Sequence, residues 1–294
     1  MRRPRVRVRR PRMRMRRLSG FSVNRLVPNV LTLLALCAGM TAIRFAVSEN
    51  FEAACYAIIV AGVFDGLDGR MARLLKSTSR FGAELDSLSD FISFGVAPAL
   101  VLYLWTMAAL HGIGWAIVLF FSICCALRLA RFNTEIAAEP PQPYTAGFFR
   151  GVPAPGAAGL SLVPMFISFE WGDWITRSPY VNAVWLSGIA VLMISRVPTV
   201  SLKPIRIPHY LVLPTLLGVG VLAGLFTTAP WPTLTLIGAV YVGSIPLTMR
   251  AYYRLRRAAE ARKAEALAEP AAVPDAPSSV IPLSGHHPAN EWRH

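Results

Sequence analysis

At 294 residues, with 54% hydrophobic content, a mean hydropathy of +0.47 and a formal net charge of +14, the chain is too apolar for an ordinary soluble domain. Its apolar runs are continuous rather than alternating, which favours membrane helices over a β-barrel. Cys37, Cys55, Cys124 and Cys125 have no metal-type spacing and read as small buried hydrophobes, and the five histidines form no cluster.

Ten arginines crowd residues 2–17. A basic arm of this kind suggests nucleic acid, but next to a first membrane span it is better explained by anionic lipid headgroups, at about 1 kcal/mol per residue near the surface. No nucleic-acid partner is expected. Residues 1–20 are therefore read as an Arg-rich cytoplasmic arm and 21–263 as a membrane-embedded domain. Residues 264–294 form a Pro/Ala-rich tail with little to pack, expected to be disordered.

Within the middle part, eight stretches are long and apolar enough to cross a bilayer: 28–48, 52–71, 86–108, 112–131, 154–171, 178–197, 209–228 and 231–249. The basic residues fall into alternate connections. Arg70, Arg73, Lys76 and Arg80 lie between the second and third stretches, and Arg128, Arg131 and Arg150 between the fourth and fifth. Arg196, Lys203 and Arg206 follow the sixth, and six more basic residues lie from Arg250 to Lys263. The remaining connections carry almost none, with Arg177 the exception, while Arg44 can snorkel from the first span. The positive-inside bias then places both termini in the cytoplasm, as an even number of spans requires. The fold class expected is an all-α integral membrane protein of about eight transmembrane helices.

Four of the six aspartates, Asp65, Asp68, Asp86 and Asp90, fall within 26 residues. Carboxylates at membrane depth cost about 2.5–3.5 kcal/mol each even on the lenient insertion scale, so they persist where they hold cations or move protons. The first two are three positions apart at the end of the second stretch, and the last two are four apart at the start of the third. Each pair thus projects from one side of its helix. Two adjacent antiparallel helices would aim all four at one point. Oxygen-only ligands suit hard cations such as Mg²⁺, Mn²⁺ or Ca²⁺, and four carboxylates suffice for two bridged ions, an arrangement suited to displacement at phosphorus. Gly66, Gly69 and Ala72 leave room for a large ligand, and Arg73 and Arg80 add the cationic donors a phosphate needs. The plain alternative is a set of interhelical ion pairs between these aspartates and arginines, although four acids exceed what helix pairing needs.

The run D-x2-D-G-x2-A-R-x8-G-x3-D-x3-D, filled here by Asp65, Asp68, Gly69, Ala72, Arg73, Gly82, Asp86 and Asp90, resembles the signature of the CDP-alcohol phosphatidyltransferases. The resemblance implies a helical membrane bundle that displaces CMP from a CDP-linked lipid with an alcohol. It implies that Asp65, Asp68 and Asp86 bind divalent metal, Mg²⁺ or Mn²⁺ and two ions, and that Asp90 contacts a metal and serves as general base. It further implies that Gly69, Arg73 and Ser79 contact the CDP-lipid and that Gly82 allows close packing there. Pro28 to Thr32 resembles the family's start of the first span, with Asn29 and Thr32 as pocket residues.

The segments ELDSLSDFISFGVAPAL, RLARFN at 128–133, GVPAPGAAGL at 151–160 and LMISRVPTVSLK at 192–203 resemble the phosphatidylserine synthase branch. That branch implies CDP-diacylglycerol and L-serine as substrates, a bacterial inner membrane, and a site facing the cytoplasm; a homodimer is allowed. A serine carboxylate needs a cation, and Arg128, Arg131, Arg150, Arg196 and Lys203 lie where they could supply it. Topology and headgroup contact explain the same five residues. Arg128 and Arg131 share a helix face and stand slightly above the rest. Choline, glycerol 3-phosphate or inositol phosphate are the rival acceptors. A cation- or proton-coupled transporter is the rival of another class.

Overall fold

A computed structural model describes residues 23–138, 148–195, 197–200 and 209–268. The arm at 1–20, residues 269–294 of the tail, Arg196 and Lys203 lie outside the described residues. Helix covers most of the described residues of each of the eight apolar stretches. Helix α1 spans Val23–Val47 and α2 spans Phe51–Leu74. Helix α3, Arg80–Asp90, runs through a π-helical turn at Phe91–Val96 into α4, Ala97–Trp105. A 3₁₀ turn at Met107–Leu110 leads into α5, His111–Ala138. Then follow α6, Ala154–Ser161, α7, Val163–Trp171, α8, Pro179–Ile194, α9, His209–Thr228, and α10, Pro230–Ala268. The last helix thus passes the boundary expected at 263. Two short strands, β1 (Phe148–Arg150) and β2 (Pro198–Val200), pair antiparallel with Phe148 opposite Val200.

Among the described residues, five segments are long and apolar enough to cross a membrane: Leu26–Val47, Arg80–Trp105, Met107–Thr134, Leu211–Thr228 and Pro230–Leu255. The other three predicted stretches meet the bundle differently. Helix α2 is long but carries Glu52, Asp65, Asp68, Arg70 and Arg73. The 154–171 stretch breaks at Leu162 between α6 and α7, and α8 has only 16 residues.

Helix α1 is the template on which the site is built. Its buried positions are Pro28, Thr32, Ala35, Gly39, Ala42 and Ala46, in alternating steps of four and three residues. Such a seam keeps one narrow face toward its partners, and small residues along it let backbones approach closely, as membrane helices require. Both α2 and the α3–α4 helix pack on that seam. The opposite face exposes Val30, Leu33, Leu34 and Met40. Cys37 lies on this outward face, so the expectation of four buried thiols fails there, while Cys55, Cys124 and Cys125 are buried.

The end of the bundle away from the aspartates is closed by side chains from four connections. Trp231, at the start of α10, packs against Tyr56 near the start of α2 and against Phe166 and Phe169 of α7, with ring centroids 4.7, 5.6 and 4.9 Å away. Asn182, fully buried, donates to Thr106 Oγ1, Thr176 O and Ser178 O at 3.2, 2.8 and 3.0 Å. These contacts gather the start of α2, the end of α4, the end of α7 with the start of α8, and the start of α10 at one end of the bundle. The aspartates lie at the other.

Candidate active site

Asp65 and Asp68 project from the last turns of α2, and Asp86 and Asp90 from α3. Ser79 caps α3, its Oγ accepting from Gly82 N at 3.0 Å, which starts the helix just far enough ahead to carry both aspartates. Ligand oxygens of Asp65, Asp68 and Asp86 all lie within 4.8 Å of one another. The Asp90 carboxyl reaches hydrogen-bond distance of Asp65. The four predicted acids therefore come together, with three as a tight set and Asp90 against one edge.

They do so through α1 rather than by direct packing of two neighbouring helices: α2 and α3 touch each other far less than each touches α1. Thr32 makes the link, donating to Asp68 Oδ2 at 2.6 Å while its hydroxyl also lies 3.1 Å from Pro28 O. One hydroxyl has one proton, and the shorter contact to a carboxylate is the stronger one. Thr32 and Asp68 are both buried, at 4% and 5% exposure.

No salt bridge joins any of the four aspartates to a described arginine or lysine, so interhelical ion pairing does not account for them. Asp68 is buried and the other three are half-buried; carboxylates gathered out of water without a cation are costly, and the donors are all oxygen. That set fits a hard divalent cation, with Asp65, Asp68 and Asp86 as the residues able to hold it.

A cavity of about 140 Å³ opens beside the acids, walled by Pro28, Asn29 and Thr32 of α1, by Asp68, Gly69 and Ala72 of α2, and by Ser77 to Ser79, Gly82, Ala83 and Asp86. Nothing lies within 4 Å of where a Cβ would stand on Gly66 or Gly69, so this face of α2 is open. A Cβ on Gly82 would press Asn29 Oδ1 and Ser79 Oγ, each 3.1 Å away. Arg73 is exposed at the rim, with its Nε donating to Gly69 O at 3.0 Å. All six residues expected to contact a CDP-lipid, Asn29, Thr32, Gly69, Arg73, Ser79 and Gly82, thus line or flank one space.

The acceptor-side candidates divide. Arg128 of α5 is half-buried; its Nε is buried without a hydrogen-bond partner among the described residues, and Cys125, Asp90 and Tyr241 lie near it. Arg131 lies three residues further along α5, its carbonyl accepting from Thr134 Oγ1 at 2.8 Å. Arg150 lies in β1 opposite Pro198, with its side chain outside the described residues. Arg196 and Lys203 lie outside them as well.

Sequence reasoning missed Ser77 and Thr78, which line the cavity, and Ser87, whose Oγ accepts from Asn133 Nδ2 at 2.9 Å and ties α5 to α3. The available signal was hydroxyl-bearing residues clustered around the aspartates in an otherwise apolar chain.

Residues 25–195 match the family described as CDP-alcohol phosphatidyltransferase, and residues 210–246 match one described as CDP-alcohol phosphatidyltransferase 2. A CDP-diacylglycerol–serine O-phosphatidyltransferase from Mycobacterium leprae is 37% identical over 227 residues, covering 76% of this chain and 75% of that protein. Proteins of the same description from Helicobacter pylori and Bacillus subtilis are 37% and 33% identical, covering 62% and 63% of this chain and 74% and 90% of their own lengths. Apolar helices of membrane-crossing length, the aspartate cluster on two helices and a match over more than half of the sequence agree: the chain is an integral membrane protein and belongs to the CDP-alcohol phosphatidyltransferase family.

Proposed function

We infer that the chain transfers the phosphatidyl group of CDP-diacylglycerol to the hydroxyl of L-serine, giving phosphatidylserine and CMP. The observation that carries the chemistry is the convergence of Asp65, Asp68 and Asp86 beside a cavity bounded by small residues. Serine as acceptor is supported by the descriptions of the relatives and by a half-buried arginine near Asp90.

Asp65, Asp68 and Asp86, with Asp90 at their edge, hold divalent metal, Mg²⁺ or Mn²⁺. A divalent cation held there would supply charge neutralisation for the diphosphate of the CDP-lipid. The chain's own residues do the rest. The open backbone at Gly66 and Gly69 admits the CDP-lipid, with Asn29, Ser79 and Gly82 shaping its pocket and Arg73 facing phosphate. Asp90 takes the proton of the serine hydroxyl as its oxygen forms a bond to phosphorus and the bond from phosphorus to the CMP oxygen breaks. That proton then passes to solvent. Arg128, with Arg131 beside it, offers a cation for the serine carboxylate.

The bundle crosses the membrane eight times in this reading, with both termini cytoplasmic in a bacterial inner membrane. Serine and CMP then exchange with cytosol while acyl chains stay in lipid. The Arg-rich arm and the arginines that end α10 meet anionic headgroups. The test is incorporation of labelled L-serine into lipid by purified protein given CDP-diacylglycerol and Mn²⁺. Label in phosphatidylserine, stoichiometric with CMP, is expected; a folded protein that transfers none would overturn the assignment.

A further inference from the structure

Ser89 and Ser93 are hydroxyls that the chemistry above leaves unused, and both are buried, at 3% and 0% exposure. A serine in a helix commonly bonds back to its own chain four residues earlier, as Ser87 does to Ala83 O at 3.0 Å. Ser89 and Ser93 reach across instead. Ser89 Oγ donates to Thr32 O at 3.0 Å and Ser93 Oγ to Ala35 O at 3.2 Å, both carbonyls of α1.

The placement of these bonds is specific. Ser89 directly precedes Asp90 and follows Asp86 by three residues. Ser93 sits in the π-helical turn that begins at Phe91, a kind of local widening frequent at functional positions. Facing it, α1 presents Gly39, where a Cβ would lie 2.5 Å from Ser93 Oγ and 2.8 Å from Ser93 Cα. Only the small Ser93 side chain lies at this contact, and α1 contributes none. Thr32 is the hub: its carbonyl accepts from the helix that carries Asp86 and Asp90, and its hydroxyl holds Asp68.

Rotation of a helix by about 20° moves a group about 5–6 Å from its axis by about 2 Å. Metal–ligand distances tolerate only about 0.2 Å. We propose that Ser89 and Ser93 are positioning residues: their bonds to α1 fix the rotation and height of the α3 helix so that its carboxylates meet those of α2 at ligand distance. The inference rests on the aspartate cluster being the metal site.

The test uses the full-length protein in detergent, comparing the parent with S89A, S93A, S93C and S89A/S93A. Mn²⁺ binding is followed by the electron paramagnetic resonance of the free ion, alongside Mn²⁺-dependent CMP release. In the double variant, half-saturating Mn²⁺ should rise about tenfold and kcat fall about 10²-fold, as expected for a misplacement near 1 Å. KM for serine should stay within about twofold of the parent. S93C restores the volume with only a weak donor, so it should behave as S93A does; if it behaves as the parent, packing alone is at work and the positioning role is lost. Should the double variant fail to fold, the single variants decide by the same measures. A parent that binds no Mn²⁺ would remove the metal reading itself. A parent that binds it, with variants of unchanged half-saturation and kcat, would overturn the positioning role alone.

Discussion

The hydroxyl of Thr32 on α1 donates a 2.6 Å hydrogen bond to Oδ2 of Asp68 on α2, across 36 positions of sequence. The first helix is thereby part of the site, although all four carboxylates of the site lie on the next two. A charge-assisted bond between buried partners contributes more than a neutral one, about 1.5–3 kcal/mol.

Thr32→Val keeps the shape and removes the donor. It should raise the Mg²⁺ concentration that half-activates CMP release by about tenfold, since about 1.4 kcal/mol is one decade. Unchanged metal dependence would show that Asp68 needs no help in facing the cation.

Asp90→Asn keeps the volume and removes the base. Loss of general-base assistance should lower kcat by about 10²–10⁴-fold, with KM for CDP-diacylglycerol within about threefold of the parent. A variant with near-parental kcat would transfer the base role to another group.

Two glycines predict opposite behaviour. At Gly39 an added methyl meets the Ser93 backbone, whereas at Gly69 it meets nothing within 4 Å. Gly39→Ala should therefore lower thermal stability, by about 1–3 kcal/mol as overpacking does. Gly69→Leu should leave the melting temperature alone and raise KM for the CDP-lipid. Equal melting temperatures for both variants would contradict the packing described for α1.

Orientation can be read by thiol labelling. Trp174, 96% exposed in the connection before α8, should react as Trp174→Cys with an impermeant maleimide on intact cells, in a background lacking outward-facing Cys37. Lys76→Cys, in the connection beside the aspartates, should react only after the membrane is opened. The reverse pattern would invert the topology.

Much of the site was legible because aspartates are rare here and their spacing is helical. Three- and four-residue steps put Asp65 with Asp68 and Asp86 with Asp90, and the three-residue step of Arg128 and Arg131 marked a face of α5. The pairing partner was not legible. Ala35 and Gly39 look like ordinary small residues of an apolar span, Thr32 was expected only as a pocket residue, and only the fold shows that α2 and α3 are registered through them. Nor does periodicity reveal the π-helical turn after Asp90, since a hydrogen bond closed over five residues instead of four leaves no mark on residue type. The outward side of Cys37 follows from α1 having a single narrow seam, which averaged hydropathy hides. The crossing count suffers similarly, because α2 mixes length with charge and Leu162 interrupts an apolar run that reads as continuous.

The most direct test of the account is CMP release from CDP-diacylglycerol by the purified protein with Mg²⁺ or Mn²⁺, offered L-serine, choline, glycerol 3-phosphate or inositol phosphate separately. Metal-dependent release with serine is expected, abolished by chelation and restored by either ion. Release with another alcohol and none with serine would contradict it.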